Sequence, residues 1–155
     1  MKPSVEPAAL RDHPFTRTLS SEQLERLLPC AREVQYREDT FIIREGDAAD
    51  TLYLLRTGSI ALEEHIPGRG VVTVESLCAG DILGLSWLFP AARWTLDARC
   101  VEPVQALALR ADCLRERMND DQALGFELLT QLVQTLYQRL VRVRLQRLDV
   151  YKGGG

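Results

Sequence analysis

The stretch Arg44-Glu45-Gly46-Asp47-Ala48-Ala49-Asp50-Thr51-Leu52-Tyr53-Leu54-Leu55, continued by Arg56-Thr57-Gly58, alternates turn chemistry with a short apolar run. Gly46 and Gly58 stand where tight turns demand positive backbone angles, and Thr51 to Leu55 has the length and composition of a buried strand. The texture repeats on both sides. Thr40-Phe41-Ile42-Ile43 comes before it, and Ser59-Ile60-Ala61-Leu62-Glu63-Glu64 comes after. The Pro67-Gly68-Arg69-Gly70 break then leads into Val71-Val72-Thr73-Val74-Glu75. Thr95 to Val101 and Val104 to Leu109, with Glu102-Pro103 as the turn, read as a last strand pair. Short strands punctuated by turn residues over 34–109 predict an all-β sandwich or barrel.

The flanks are helical. Ser20 or Ser21 can cap a helix that runs through Glu22, Gln23, Leu24, Leu27 and Leu28 to Pro29. Upstream, His13-Pro14-Phe15 reads as an apolar anchor in a polar tail, with His13 a packing or turn residue. After the strands, Ala111 to Arg115 opens a short helix, and Asn119-Asp120-Asp121 can cap a longer one. Leu124, Leu128 and Leu132 at one end, and Tyr137, Val141, Leu145 and Leu148 at the other, form further stripes, and one face of the helix can pack on the β-structure. Leu129, Val133, Leu136, Leu140 and Val143 recur at alternating four- and three-residue spacing, a coiled-coil-like seam that asks for a partner. Arg139, Arg142, Arg144 and Arg147 crowd the end and read as a solvated face favourable to the helix dipole. The organisation expected is a single domain over 1–152: a helical segment 1–33, a β-roll 34–109, C-terminal helices 110–152, and a flexible tail at 153–155.

Composition narrows the function. A chain of 155 residues with 46% hydrophobic and 26% charged residues buries an ordinary core. Nineteen Lys and Arg against 22 Asp and Glu give a net charge of −3, against a general phosphate-neutralising nucleic-acid binder. Neither a membrane-spanning apolar run nor a signal peptide is present in the sequence, so the expected location is cytoplasmic. Cys30, Cys78, Cys100 and Cys113 are scattered without a CxxC pair and are expected as small buried hydrophobes rather than metal ligands. Ser-His-Asp and Cys-His constellations, HExxH and a complete GxxxxGK loop are all missing, which leaves an enzyme hypothesis without residues.

Helix, glycine-punctuated strands, then two helices is an order that resembles the cyclic-nucleotide-binding domain of catabolite-activator-like proteins. The residues that carry the resemblance are the Glu45-Gly46-Asp47, Leu52-Tyr53-Leu54-Leu55 and Gly58 series, and Gly80-Asp81-Ile82-Leu83-Gly84, similar to the glycine pair that opens the family's phosphate-binding cassette. It extends from His13 to Leu148. The resemblance implies an α+β, mainly β fold: a double-stranded β-helix, or jelly-roll-like β-roll, with an N-terminal helix and two C-terminal helices, the last long and dimerising. Transcription factors of this family continue into a helix-turn-helix. With the chain ending soon after Leu148, direct DNA binding is not expected, and the implied role is a stand-alone regulatory module acting on other proteins.

Departures from the family pattern fall in the cassette. The family's ribose-binding carboxylate position holds Leu85, and its phosphate-binding Arg position holds Trp94, followed by Thr95. Arg93 stands one residue early, which on an extended segment means the opposite face. A short helix at Leu85 to Leu88 can still offer backbone amides. The candidate ligand residues are therefore Gly84, Leu85, Ser86, Arg93, Trp94 and Thr95, with Gly84 where a backbone approaches something closely. No cofactor is certain; a cyclic nucleotide or another small effector is the candidate ligand, and weak or absent binding of cyclic AMP and cyclic GMP is expected. Trp87, Phe89 and Trp94 either plug the vestigial pocket or line a site for a different ligand. Asp97 and Arg99, two apart on one strand, are expected to pair on the solvent side. Two readings follow: a sensor that holds a small effector, or a ligand-free dimeric scaffold with an aromatic-plugged pocket.

Overall fold

The computed structural model describes residues 5–89 and 91–153. Eight strands form two four-stranded antiparallel sheets, preceded by two short helices and followed by two more. The helices are α1 (Pro7–Asp12), α2 (Ser21–Leu27), α3 (Ala111–Asp120) and α4 (Gln122–Gly153). The strands are β1 (Ala31–Tyr36), β2 (Phe41–Ile43), β3 (Thr51–Thr57), β4 (Ser59–Ile66), β5 (Gly70–Cys78), β6 (Ile82–Leu83), β7 (Asp97–Cys100) and β8 (Val104–Arg110). One sheet has the order β1-β8-β3-β6 and the other β2-β7-β4-β5. This is the expected mainly β, jelly-roll-like architecture.

Strand β3 explains how a continuous apolar run serves two layers. Successive side chains of a strand point to opposite faces. Leu52 and Leu54 face the helices, where they pack with Leu10, Leu24, Leu27, Trp87 and Leu128. Tyr53 and Leu55 face the second sheet and pack with Ile60, Leu62, Trp94 and Ala98. Strand β8 divides the same way, with Leu107 and Leu109 toward the helices and Ala106 and Ala108 inward. A strand covered on both faces has no reason to alternate polar with apolar.

The consecutive strands β3 and β4 lie in different sheets, so Gly58 is a corner. Its φ is +91°, and a Cβ there would run into the backbone carbonyl of Pro103. Pro103 belongs to the connection between β7 and β8, and those two strands also lie in different sheets. The expected last strand pair is thus corrected: Glu102-Pro103 is a second corner, packed against the first, rather than a hairpin turn. Both corners follow from sheet closure, which no local run of residues reveals.

Helix ends behave as their residues dictate. Ser20 accepts from the backbone N–H of Gln23 and the Gln23 side chain accepts from the Ser20 N–H, a complete capping box for α2. Asp121 accepts from the Leu124 N–H at 3.1 Å and caps α4. Helix α1, in the stretch expected as a polar tail, is an addition, and Ala9 and Leu10 bury its inner face. His13 is a buried linchpin of the following turn. Its Nε2–H donates to the Leu55 carbonyl at 3.1 Å, and its Nδ1 accepts from the Phe15 N–H at 3.1 Å.

The cysteines divide in a way spacing did not suggest. Cys30 and Cys113 form a disulfide across 83 residues, tying the turn after α2 to α3, with Cα atoms 5.5 Å apart. Cys100 is free and buried, while Cys78 is free and exposed. The expectation of four unlinked buried thiols is corrected for three of them. The cause is tertiary: packing α2 and α3 side by side brings two distant residues within bridging range. On α4, Leu124, Leu128 and Leu132 are buried, whereas Tyr137, Leu145 and Leu148 of the other expected stripe are exposed, lying beyond the stretch of the helix whose leucines pack in the core. The seam from Leu129 to Val143 is 40–62% exposed. Of the expected tail, Gly153 ends α4, and residues 154–155 lie outside the described residues.

Candidate functional site: a cavity between the cassette and the long helix

Gly84 takes φ +100° and ψ 60°. A Cβ at this position would stand 2.8 Å from the Thr51 carbonyl oxygen and 2.8 Å from Cη2 of Trp94. Only a glycine allows that approach. The chain then turns through a one-turn 3-10 helix, Leu85–Leu88. Opposite it, Ala92 to Trp94 is laid against the Gly46 loop by three backbone hydrogen bonds. Gly46 N–H donates to Trp94, Trp94 N–H to Asp47 and Ala49 N–H to Ala92, at 2.9, 2.9 and 2.8 Å. The glutamate–glycine–aspartate turn therefore holds the far wall of the cassette in place.

Between these walls lies a cavity of about 160 Å³. Gly84, Leu85, Ser86, Trp94 and Thr95 line it, five of the six candidate ligand residues. Arg93 does not. Being one residue out of phase, it points away, and its Nη1 donates to the Gly46 carbonyl at 2.8 Å. The remaining wall is chiefly apolar, including Ile43, Leu62, Leu83, Leu96 and Ala98. The three aromatic residues separate. Trp94 is 8% exposed and fills one side of the cavity, Trp87 is 1% exposed and packs under the helices, and Phe89 is 63% exposed.

Two lining residues were absent from the sequence-based set: Glu75 of β5 and Arg139 of α4. Arg139 is 8% exposed, which corrects the reading of the C-terminal arginines as one solvated face. Its Nη2 donates to the Ile82 carbonyl, and its Nε lies 3.6 Å from Glu75 Oε1. Burial lowers its pKa, and the charges of Glu75 and Asp81 oppose that effect. A guanidinium starts high enough to remain charged regardless. The signal was present: extending the Leu124, Leu128, Leu132 stripe by two helical turns lands on residue 139.

Asp97 and Arg99 are not partners, contrary to expectation. Asp97 is buried. It accepts from the Glu45 N–H at 2.7 Å and bonds His65 Nε2 at 3.1 Å, with Arg44 4.0 Å away. Burial pushes its carboxyl up, but the Glu45 amide, His65 and Arg44 together hold it below the ordinary carboxylate range. Arg99 instead pairs with Glu63 at 3.2 Å and Asp39 at 3.1 Å. Cross-strand neighbours won over same-strand ones, as sheet geometry favours. Among the described residues, no group of three His, Cys, Asp or Glu is placed to hold a metal ion, and no helix is long and apolar enough to cross a membrane.

Two packed sheets, glycine corners and a cassette-like cavity lined in part by the long helix define a β-roll of the regulatory-domain type. The cyclic nucleotide-binding domain profile matches residues 33–121, and the chain belongs to that family. It is 30% identical to a Geobacter metallireducens protein described as a candidate cyclic nucleotide-binding protein. The match has a TM-score of 0.78 and covers 88% of this chain and 98% of that one. The sensor domain of the transcriptional regulator DNR from Pseudomonas aeruginosa shares the fold at 22% identity. Its TM-score is 0.69, over 86% of this chain and 89% of that one. In sequence, the chain is 31% identical over 118 residues to cyclic nucleotide-gated ion channel 1 of Arabidopsis thaliana, which covers 70% of this chain. It spans 16% of that channel's length.

Proposed function

We propose that this domain is a sensor whose cavity holds a small effector other than a cyclic nucleotide. Through α4 it passes the binding event to partner proteins, without catalysis of its own. One observation carries the reading: the cavity is lined by both walls of the cassette and also by a residue of the long helix, Arg139. A bound molecule there touches the β-roll and α4 at once. Ligands shift an equilibrium only by differential affinity for its states, and a site shared by two elements supplies such a difference.

Cyclic nucleotides suit the site poorly. Leu85 offers no acceptor to a ribose hydroxyl and Trp94 no charge to a phosphate, two hydrogen bonds to charged groups worth roughly 1.5–3 kcal/mol each. Their loss weakens binding by on the order of a hundredfold to ten-thousandfold. Calorimetry with cyclic AMP and cyclic GMP is expected to show no binding at micromolar concentrations, while a thermal-shift screen of small metabolites returns a stabilising compound. A micromolar cyclic nucleotide complex, or a screen with no stabilising compound, overturns the reading. The second outcome favours the ligand-free scaffold, for which the tight contact of Trp94 with Gly84 is the supporting observation.

The sensor is a homodimer in this reading. Leu129, Val133, Leu136, Leu140 and Val143 expose an apolar seam along α4, and a two-fold parallel pairing of helices buries it in an isologous contact. Sedimentation of the wild type at micromolar concentration is expected to give a dimer, and the Leu136→Glu/Leu140→Glu double variant a folded monomer. A monomeric wild type rules the pairing out. The Cys30–Cys113 disulfide bears on location as well, because in the reducing cytoplasm such bonds are seldom maintained.

A further inference from the structure

Beyond Leu132, the long helix buries a single side chain among the described residues whose side chains are placed, and that side chain is charged. Arg139 meets Glu75 from inside the cavity, and Arg142, one turn on, reaches the same Glu75 oxygen at 3.3 Å from outside. Two guanidiniums thus share the Glu75 carboxylate on one wall of an apolar slot, with Asp81 as a further negative charge acting on Arg139. Among the described residues Arg139 makes one hydrogen bond, to Ile82, out of five N–H donors set in a planar fork. An apolar cavity of about 150 Å³ admits a benzene ring, so the 160 Å³ here has room for a ring or a branched chain. Near the cassette wall, Ser86 and Thr95 supply hydroxyls.

We propose that the effector is a small monocarboxylate with an apolar body, its ring or branched chain against Trp94 and Leu62 and its carboxylate paired with Arg139. The proposal rests on the sensor reading above and gives it a ligand class. A planar carboxylate matches the fork of a guanidinium, the geometry of the strong bidentate pairs. Glu75 is the competitor. Ligand binding draws Arg139 from Glu75 and so alters the hold of the β-roll on the outer half of α4, the half that carries Leu136, Leu140 and Val143.

The test uses benzoate, phenylacetate and 3-methylbutanoate as probes, with benzamide as the neutral counterpart, read by ligand-observed NMR and thermal shift on the full chain. At least one carboxylate is expected to bind the wild type, and benzamide is not. Arg139→Gln is expected to weaken that binding by about 10- to 100-fold, the effect of losing one charge-assisted pair. Glu75→Gln is expected to tighten it, a gain that a purely structural role for the pair does not produce, and it serves also if the Arg139 variant folds poorly. Benzamide binding as well as benzoate, or Glu75→Gln leaving carboxylate affinity unchanged, overturns the carboxylate proposal and leaves the sensor standing. Absence of binding by all four probes overturns the proposal too. The sensor falls with it only when the metabolite screen is also empty.

Discussion

Trp87 and Trp94 come from the same cassette segment and are both nearly hidden from solvent, but they belong to different interiors. Trp87 is wedged among Leu27, Leu52, Leu109, Leu114 and Leu128, where the two C-terminal helices and α2 meet the first sheet. Its carbonyl accepts from Arg115 of α3 at 2.6 Å, and its indole N–H has no partner among the described residues. Trp94 lies between the sheets with open volume on one side. One ring joins layers and the other bounds a space. The sequence reading grouped both as possible plugs of one pocket. The structure shows that the 3-10 turn after Gly84 swings Trp87 out of the cassette and leaves Trp94 there alone.

The difference can be broken by truncation. Trp87→Ala is expected to lose about 3–5 kcal/mol, the range for emptying a packed aromatic site, as a lower midpoint in denaturant unfolding. It also removes the surface on which α2, α3 and α4 converge. A loss below about 1 kcal/mol would mean that the helical layer does not depend on the ring. The Cys30–Cys113 bond joins two segments of that layer and is worth about 2–4 kcal/mol through restriction of the unfolded chain. The Trp87 measurement therefore belongs under fixed redox conditions.

Trp94→Ala sharpens the comparison from the other side. A ring with a cavity against one face has fewer contacts to lose, and the expected cost is about 1–2 kcal/mol, below the full aromatic range. The enlarged cavity should also cease to respond to any stabilising compound that the wild type binds. A loss equal to that of Trp87→Ala would identify Trp94 as a plug and count for the scaffold. Retained ligand response in the Trp94 variant would show that the ring takes no part in the site.

Much of this protein was legible because the forces that shape it are local. The positions of β2, β3, β4, β5 and β8 and the turns at Gly46 and Gly68 followed from short apolar runs set between turn residues. Gly84 was marked as a point of close approach, and Thr51 and Trp94 are what it approaches. Ser20 and Asp121 capped the helices they precede because the bonds involved span three residues. The exposed α4 seam is likewise a matter of period alone. Arg93 was kept among the candidate ligand residues, although the two-residue repeat of an extended chain already set it on the opposite face, where it donates to the Gly46 carbonyl instead of lining the cavity.

Other features required partners far apart in sequence. The Cys30–Cys113 bond depends on the packing of α2 beside α3, and the partners of Asp97 and Arg99 on which strands become neighbours in the second sheet. The Glu102-Pro103 corner exists because β7 and β8 belong to different sheets. Arg139 is the sharpest case. As one of four arginines near a helix end it reads as solvent-facing, since a charge at the surface is the cheap arrangement. It is buried because β5 supplies Glu75, β6 supplies a carbonyl, and the cavity gives the guanidinium room. Sequence period sets the direction in which a side chain points; only the tertiary fold sets what waits there, because desolvating a charge is tolerated solely where distant groups have been brought up to meet it.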